Sequence, residues 1–258
     1  MRLYLTRFNA ICTLVASLLL AACSRGLAIS EDAFGSPSHD HAENPSERGW
    51  SGPWSGDAAL ASPVEMTVVS GSLPSPAGLD PPPSAGRVEG FSGLAFRGLA
   101  IGKELDWHAP EPWFIRIAVR RTVNDSRDTS TGVSLLFHDQ LQRVLVVGCT
   151  SSGRMVIAQG GSITASDSPV NSPDQSYVWL IKFEAPNSQG RRVIRLRWFH
   201  ESEQWPSEEP ESWAISSEPL SSSATIDRLG IAAGSNVRAG IDELRIAHSW
   251  TELNAASR

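Results

Sequence analysis

The chain has 258 residues and an acidic balance, with 22 Lys and Arg against 28 Asp and Glu and a formal net charge of -6. It contains no run of basic residues, so it lacks the positive patch that nucleic-acid binding requires, and charge alone would not hold it on an anionic lipid surface.

The first 22 residues have the pattern of a bacterial export signal. A short positive stretch precedes an apolar run over residues 10–20, which is too short to span a bilayer. The run ends in Leu-Ala-Ala-Cys, which resembles the lipobox of bacterial lipoproteins. That resemblance implies removal of residues 1–22 and lipidation of Cys23, with Ser24 favouring the outer membrane or the cell surface. The alternative is an ordinary signal peptide in which Cys23 has no role.

Residues 23–49 then form a predicted flexible tether. The segment is rich in Ser, Pro and acids and poor in aliphatic residues, so it cannot bury a core of its own. His39, Asp40 and His41 could bind a metal weakly, although two histidines and one free carboxylate are a poor metal signal. A solvated linker is the interpretation we favour.

From residue 50 to residue 258 the chain has the pattern of one all-β domain. Short apolar stretches alternate with turn residues, and no long stretch has a period of 3.6 residues. Strands are predicted at 64–71, 87–99, 113–123, 131–139, 142–150, 153–159, 177–185, 191–199, 226–231 and 241–246. Because no helical crossovers separate them, the pattern predicts an antiparallel two-sheet jelly-roll sandwich of about ten to twelve strands.

Both ends of this domain resemble a known family. GWSGPWSGD (49–57) and GIDELRIAHSWTEL (240–253) are similar to segments of the concanavalin A-like, laminin G-like jelly-roll domains of secreted bacterial proteins. The resemblance implies two curved sheets that bind glycans or proteins at a rim or on the concave face. Some relatives bind calcium, and some enzymes share the fold.

A six-residue pattern, Ile-Asp-x-Leu-x-Ile, occurs twice near the C-terminus. Asp227 and Asp242 occupy its second position, and a period of two places each on the same strand face as the Leu and Ile that follow it. We interpret both acids as structural, accepting hydrogen bonds at the sandwich rim. Calcium ligation is the alternative, but two acids do not fill a shell of about six to eight oxygens. Glu243 and Arg245 are predicted to point to the opposite side, toward solvent or a surface ion pair.

Glycoside hydrolysis is the sharpest enzymatic alternative, because the fold supports it and the chain is predicted to be exported. The reaction needs two carboxyl groups about 5 to 10 Å apart across a cleft. The Glu-x-Asp-x-x-Glu pattern of jelly-roll hydrolases is absent, and the adjacent Asp242 and Glu243 would point to opposite faces of a regular strand. We therefore predict no catalytic residues.

The segment HESEQWPSEEPESW (200–213) is the most unusual in composition. Trp205 and Trp213 stand among five glutamates, including Glu208 and Glu209. One interpretation is an aromatic platform, on which a Trp ring stacks against a sugar while carboxylates bind its hydroxyls. The other is an acidic loop whose Trp rings pack back onto the sheet.

The remaining reactive side chains carry no catalytic motif. Cys149 lies in an apolar run, is left without a disulfide partner by the predicted fates of Cys12 and Cys23, and is predicted to be buried and inert. His138 and His248 are predicted to lie at the surface or the rim.

The sequence therefore predicts a lipid-anchored envelope protein that acts as a non-catalytic binding module. Polysaccharide is the first class of partner to consider, an envelope protein is the second, and the membrane is contacted through the lipid. A hydrolase and a purely structural lipoprotein are the alternatives.

Overall fold

A computed structural model of the chain describes residues 30–32, 47–51, 53–61, 66–79, 86–100, 102–123 and 131–255, with the backbone alone at 30–32, 47–48 and 131. The predicted signal, Cys23 and the His39–His41 group lie outside the described residues. The strands are β1 (Ser30–Asp32), β2 (Glu47–Arg48), β3 (Val68–Ser70), β4 (Gly86–Phe91), β5 (Gly93–Gly98), β6 (Leu105–Asp106), β7 (Trp113–Val123), β8 (Thr131–Asp139), β9 (Gln142–Thr150), β10 (Met155–Gln159), β11 (Ser162–Ala165), β12 (Ser176–Phe183), β13 (Ile194–His200), β14 (Ile215–Ser216), β15 (Thr225–Ile226), β16 (Arg228–Ala233) and β17 (Val237–Ala247), and they are followed by one helix, α1 (Trp250–Asn254).

The strands form two main sheets in which every pairing is antiparallel. The first sheet has the order β14-β13-β12-β7-β17-β1-β2, with β4 also pairing with β17 and β3 pairing with β4. The second has the order β11-β10-β9-β8-β16-β5, and β6 and β15 form a separate two-stranded ribbon. The predicted antiparallel two-sheet sandwich is confirmed.

The core lies between the two sheets and follows from the alternation along the strands. Ile115, Ile117 and Val119 of β7 face inward with the odd-numbered positions of β12, and they meet Leu145 and Val147 of the second sheet. These side chains are almost fully removed from water. Burial of each one contributes about 1.5–3 kcal/mol.

The first sheet also buries much of its outer face. Ten buried residues form an outer cluster against it, which is separate from the core: Leu73, Leu79, Phe114, Ala118, Val178, Leu180, Phe199, Trp205, Ala247 and Leu253. The cluster is contributed partly by the sheet and partly by the 73–79 segment, the 200–213 loop and α1. The sheet therefore has apolar layers on both sides, and its strands carry few exposed positions.

A β-bulge interrupts β17 and changes which residues face the core. Asp242 pairs with Ala118 and Arg245 pairs with Arg116, so three steps along β17 match two steps along β7. Glu243 takes up the extra residue with φ of 53°. Leu244 consequently joins the inner face together with Ile241.

Buried Arg192 ties the loop after β6 to the end of β12. Its guanidinium donates to the carbonyls of Trp107 (2.6 Å), Glu111 (3.1 Å), Glu184 (2.8 Å) and Ala109. Burial lowers the pKa of Arg192 to about 10, which still leaves it charged at neutral pH. A single side chain thus satisfies several carbonyl groups that the loop cannot pair within itself.

Most predicted strands are confirmed, and three of them have the predicted bounds, at 113–123, 131–139 and 142–150. The two-residue turn after Asp139 is also confirmed, with Gln140 at φ of 52°. The prediction missed β11, although the Gly160-Gly161 pair before it has the positive φ values of a tight hairpin. Within the predicted tether, residues 30–32 form a strand that pairs with β17, and residues 47–48 pair with residues 30–32 at the edge of the sheet. No helix among the described residues is long and apolar enough to cross a membrane.

Gly148 offers a test of the close approach between β8 and β9. A Cβ at Gly148 would lie 2.3 Å from the carbonyl oxygen of Val133, whereas one at Gly240 in β17 would meet its neighbours at 3.4 Å or more. We expect Gly148→Ala to lower the free energy of unfolding by about 1–3 kcal/mol, because backbone must move. Urea denaturation measures the change. Gly240→Ala is the matched control and should be close to neutral; equal effects of the two substitutions would contradict the prediction.

Candidate functional site

Trp205, the centre of the predicted aromatic platform, belongs to the outer cluster. Its side chain is 5% exposed, and its ring stacks on Trp250 with centroids 5.6 Å apart and planes 15° apart. The indole N–H donates to Oδ1 of Asn254 at 2.9 Å. Trp250 covers one face of the Trp205 ring and Asn254 accepts from its polar edge, so the loop packs back onto the sheet as the second interpretation states.

The other residues of the predicted platform differ in their burial and in their contacts. Trp213 is half-buried and packs against the same outer cluster. Glu209 accepts a hydrogen bond from Nζ of Lys182 at 2.6 Å, while Glu208 is exposed. A ligand-binding role for these four residues stays a prediction, and it lacks the open Trp205 ring that motivated it.

We expect Trp205→Ala to destabilise the fold by about 3–5 kcal/mol, because the substitution leaves a cavity beneath Trp250 and removes the shorter of two hydrogen bonds to the Asn254 amide oxygen. Urea denaturation followed by Trp fluorescence measures the loss. Trp213→Ala, at a half-buried position, should have a smaller effect. An unchanged midpoint for Trp205→Ala would contradict the assignment of this ring to the outer cluster.

Asp227 lies between β15 and β16, at the rim, as predicted. Its carboxylate accepts from Nε and Nη2 of Arg228 at 2.9 and 2.8 Å and from the backbone N–H of Gln140 at 2.9 Å. Burial alone would raise the pKa of Asp227, but these donors lower it below its ordinary value. The side chain is occupied by a fork-to-fork ion pair, so its oxygens are poorly placed to bind a cation.

Asp242 is in the middle of β17, and the predicted shared face with Leu244 is wrong because the bulge intervenes. Oδ2 accepts the N–H of Leu73 at 2.9 Å, and Oδ1 accepts the N–H of Glu243 at 2.9 Å. Burial, together with the charge of the nearby Glu243, raises the pKa of Asp242 to about 7, although the two N–H donors act to lower it. Asp242 therefore fixes the 73–79 segment to the first sheet.

Glu243 and Arg245 are buried, so the prediction that they face solvent is also wrong. Oε2 of Glu243 lies 3.6 Å from Nε of Arg116, and Nη1 of Arg245 donates to the carbonyl of Ala255 at 2.6 Å. Arg116 in turn donates to the carbonyl of Leu253 at 3.2 Å. The outer-cluster side of β17 thus carries charges that hold the carbonyl end of α1.

The two aspartates do not fit a calcium site. Asp227 directly precedes a strand of the second sheet while Asp242 is within the first, each accepts backbone N–H donors, and Asp227 is paired with a guanidinium. Within the described ranges, no group of three or more His, Cys, Asp or Glu side chains converges as a metal site would require. The speculative assignment of metal binding to Asp227 and Asp242 is not supported by this geometry.

The raised pKa of Asp242 predicts a pH dependence of stability. The folded-state pKa of about 7 lies above the ordinary value of 3.8, so the folded state binds this proton more tightly. The free energy of unfolding therefore falls as the pH rises from about 4 to about 7, by at most about 4 kcal/mol from this group. Asp242→Asn should lack this component in urea denaturation between pH 4 and pH 8.

Asp227→Asn is the matched control, because the pKa of Asp227 is lowered. Its carboxylate stabilises the fold above the unfolded-state pKa, and that stability is lost as the pH falls through the folded-state pKa. The difference in the free energy of unfolding between wild type and Asp227→Asn should therefore grow as the pH rises, whereas the difference for Asp242→Asn should shrink. Identical pH profiles for wild type and Asp242→Asn would contradict the assignment.

Two further predictions concern Cys149 and His138. Cys149 is buried and unpaired, and burial raises its pKa to about 11, as expected for an inert thiol. His138, predicted to lie at the surface or the rim, is at the end of β8 but is buried: it is 6% exposed, and its ring packs edge-on against Phe96 with ring centroids 5.1 Å apart. Burial lowers its pKa, and the charges of Arg143 and Arg228 lower it further, so it is neutral near pH 7. His248 is exposed, as predicted.

The structure contains a cavity at one end of the sandwich that the sequence did not indicate. It has a volume of about 430 Å³ and lies between the ends of β8 to β11 and the loop that precedes β15. We call it the rim cavity. Its lining consists of Asp139, Gln142, Arg143, Val144, Gln159, Gly160, Ser162, Ser221, Ser222, Ser223 and Ala224.

Hairpin geometry places the polar side chains of the rim cavity. Gln159 pairs with Ser162 across the tight Gly160-Gly161 turn, on the same sheet face as the buried Ile157. Asp139 pairs with Gln142 across the other tight turn, and Oδ2 of Asp139 accepts the N–H of Thr225 at 3.3 Å. Two hairpin ends and a serine-rich loop are thereby held around one opening.

The run Ser221-Ser222-Ser223 was the signal in the sequence that could have pointed to this cavity. Three consecutive hydroxyls after a short strand are unusual, but they form a site only once the fold brings two distant hairpins beside them. No local sequence pattern predicts that these two hairpins lie beside the serine-rich loop.

Comparison with models of protein families found no match for the sequence, and comparison with curated proteins found none. Among solved structures, the T. cruzi calreticulin globular domain is 11% identical with a TM-score of 0.43, covering 86% of this chain and 88% of that chain. The binding domain of Paraclostridial Mosquitocidal Protein 1 is 10% identical with a TM-score of 0.46, covering 73% of this chain and 44% of that chain.

The exoplasmic/lumenal domain of VIP36, in a Ca2+/Man-bound form, is 10% identical with a TM-score of 0.39, covering 66% of this chain and 81% of that chain. This chain thus spans less than half the length of the mosquitocidal chain and most of the other two. The sandwich assignment itself rests on the strand pairing described above.

Proposed function

We propose that the protein is a non-catalytic binding module that holds a saccharide in the rim cavity. The observation that carries this proposal is the composition of the lining, where amides, hydroxyls, a carboxylate and a guanidinium surround one opening of about 430 Å³. That volume lies within the range of about 300–1,000 Å³ that is typical of ligand pockets.

The chemistry of the lining favours a ligand with many hydroxyl groups. Ligand pockets are commonly lined by apolar and aromatic side chains, whereas Val144 and Ala224 are the apolar side chains of this one. Gln142 and Gln159 each offer donors and an acceptor, and the serine hydroxyls do both. A ring of alternating donors and acceptors complements sugar hydroxyls better than it complements an apolar ligand.

The cavity favours binding over hydrolysis. Glycoside hydrolysis requires two carboxyl groups across the bound sugar. Asp139 is the one acid among the described residues of the lining, and its Oδ2 already accepts the N–H of Thr225. The proposed role of Asp139 is therefore to accept a hydroxyl hydrogen bond while the backbone holds it in place.

The cellular setting is part of the proposal and rests on the sequence. The signal pattern and the lipobox at Cys23 support export and attachment to an envelope membrane, with the outer membrane or cell surface favoured. A surface location would expose the cavity to polysaccharide. No three His, Cys, Asp or Glu side chains converge as a metal site in the described part of the chain, and we propose binding that is independent of calcium.

The test is retention of the full-length chain, purified in detergent, on a panel of neutral and acidic polysaccharides. Removal of two amide groups by Gln142→Ala with Gln159→Ala should weaken binding by about tenfold or more, since each lost hydrogen bond contributes about 0.5–1.5 kcal/mol. Chelator should leave retention unchanged.

Gln189→Ala, in the exposed turn between β12 and β13, is the matched control and should bind as wild type does. If Trp213→Ala abolishes retention while Gln142→Ala with Gln159→Ala keeps it, the binding site lies in the 200–213 loop instead of the rim cavity. Absence of retention on every polysaccharide would overturn the glycan proposal and favour a protein partner or a structural role.

A further inference from the structure

The outer edge of β17 is shared by two different strands. Its first half pairs with β4, at Ala239 and Ile241, and this pairing ends at the bulge. Beyond the bulge, Leu244 to Ile246 pair with β1. The edge that β4 leaves open is therefore occupied by residues 30–32, which come from the predicted tether.

The position of β1 in the sequence limits how far the domain can lie from Cys23. Six residues separate Cys23 from Ser30, and the seven Cα-to-Cα steps between them span at most about 25 Å when the chain is fully extended. A tether that was free as far as Trp50 could reach about 95 Å. Pairing of β1 with β17 therefore shortens the maximum reach about fourfold.

The rim cavity lies near the opposite edge of the sandwich. β11, which contributes Ser162 to the cavity, contacts β14 at the far edge of the first sheet. Five strand intervals separate β14 from β1 in that sheet, which corresponds to about 24 Å at the usual strand spacing. The docked tether and the cavity therefore mark opposite edges.

We propose that the edge of β17 at Leu244–Ile246 is a strand-addition site whose occupant is the chain's own tether, residues 30–32. Docking of this segment fixes the sandwich close to the membrane with its β1 edge inward and holds the rim cavity outward. This inference rests on the proposed lipidation of Cys23 and on the proposed role of the rim cavity, and it replaces a long free tether by a short oriented one.

Backbone hydrogen bonds supply the recognition, so the test must change the backbone. Glu31→Pro with Asp32→Pro removes two N–H groups and disfavours an edge pairing on both sides of β1. Glu31→Ala with Asp32→Ala is the matched control, because it removes the same charges and keeps the N–H groups. Hydrogen exchange is measured on the full-length chain in detergent.

In wild type and in the Ala control, the amides of Leu244–Ile246 that face β1 should be protected. In the Pro variant these amides should exchange about tenfold faster or more, while the β7–β12 amides stay protected and show that the fold is intact. Equal exchange at Leu244–Ile246 in all three proteins would overturn the docking. Loss of protection throughout the Pro variant would itself contradict the proposal, since docking of a mere tether should not be needed for folding.

Orientation is tested on vesicles that carry an energy acceptor in their lipid. Ser70→Cys and Ser223→Cys place a dye at exposed positions near the β4 edge and at the cavity, and buried Cys149 does not compete for a thiol reagent. Energy transfer should be several-fold greater from position 70 than from position 223, and the Pro variant should lose that difference. Equal transfer from both positions in wild type would overturn the orientation.

Failure of the underlying proposals gives a different result. Protein that does not float with vesicles would refute lipidation of Cys23 while leaving the amide protection at Leu244–Ile246 in place. Absence of polysaccharide retention would refute the proposed role of the rim cavity, and it would leave the hydrogen-exchange and energy-transfer results unchanged. The three ideas can therefore fail separately.

Discussion

Burial of the first sheet on both faces is the constraint on which the rest of the structure depends. Side chains of β7, β12 and β17 alternate between the core and the outer cluster, so neither set can remain polar without partners. This explains why Arg116 is buried and donates to the end of α1, and why the carboxylate of Asp242 is held by backbone N–H groups. It also explains the 200–213 loop, whose Trp205 covers apolar surface that would otherwise face water.

The strands that depend on local alternation were predictable from the sequence. In β7 and β13, aliphatic residues recur every second position, and the pattern alone identifies the inward face. The turn at Gln140 was predictable too, since two residues between long alternating strands leave little choice of geometry. These elements obey nearest-neighbour rules, and tertiary contacts reinforce what the local pattern prefers.

The repeated Ile-Asp-x-Leu-x-Ile pattern shows that local alternation does not predict the surroundings of every strand residue. Its two copies are alike in sequence, yet Asp227 lies at a strand junction beside Arg228, and Asp242 lies at a bulge in the middle of a long strand. Only Asp242 has the bulge beside it, and its strand pairs with β4 and β1, which are distant in sequence. The site follows the same logic, because the rim cavity exists only where two hairpins and the Ser221–Ser223 loop meet. The surroundings of the two aspartates and the position of the cavity depend on the register between strands, which no single segment of the sequence determines.

The two edges of the sandwich differ in structure and in proposed role. A sheet edge has unpaired backbone groups and invites another strand, so a protein must cover it or use it. At one edge β17 is covered by β4 and then by β1. The strand β1 comes from the N-terminal segment of the chain and not from the core of the sandwich. At the other edge the sheets are joined where β11 contacts β14, and the cavity opens beside that junction. Since the chain's net charge of -6 gives no general attraction to anionic lipid, the proposed orientation depends on backbone pairing at β1. In this proposal, the segment that covers one edge also directs the binding site at the other edge away from the membrane.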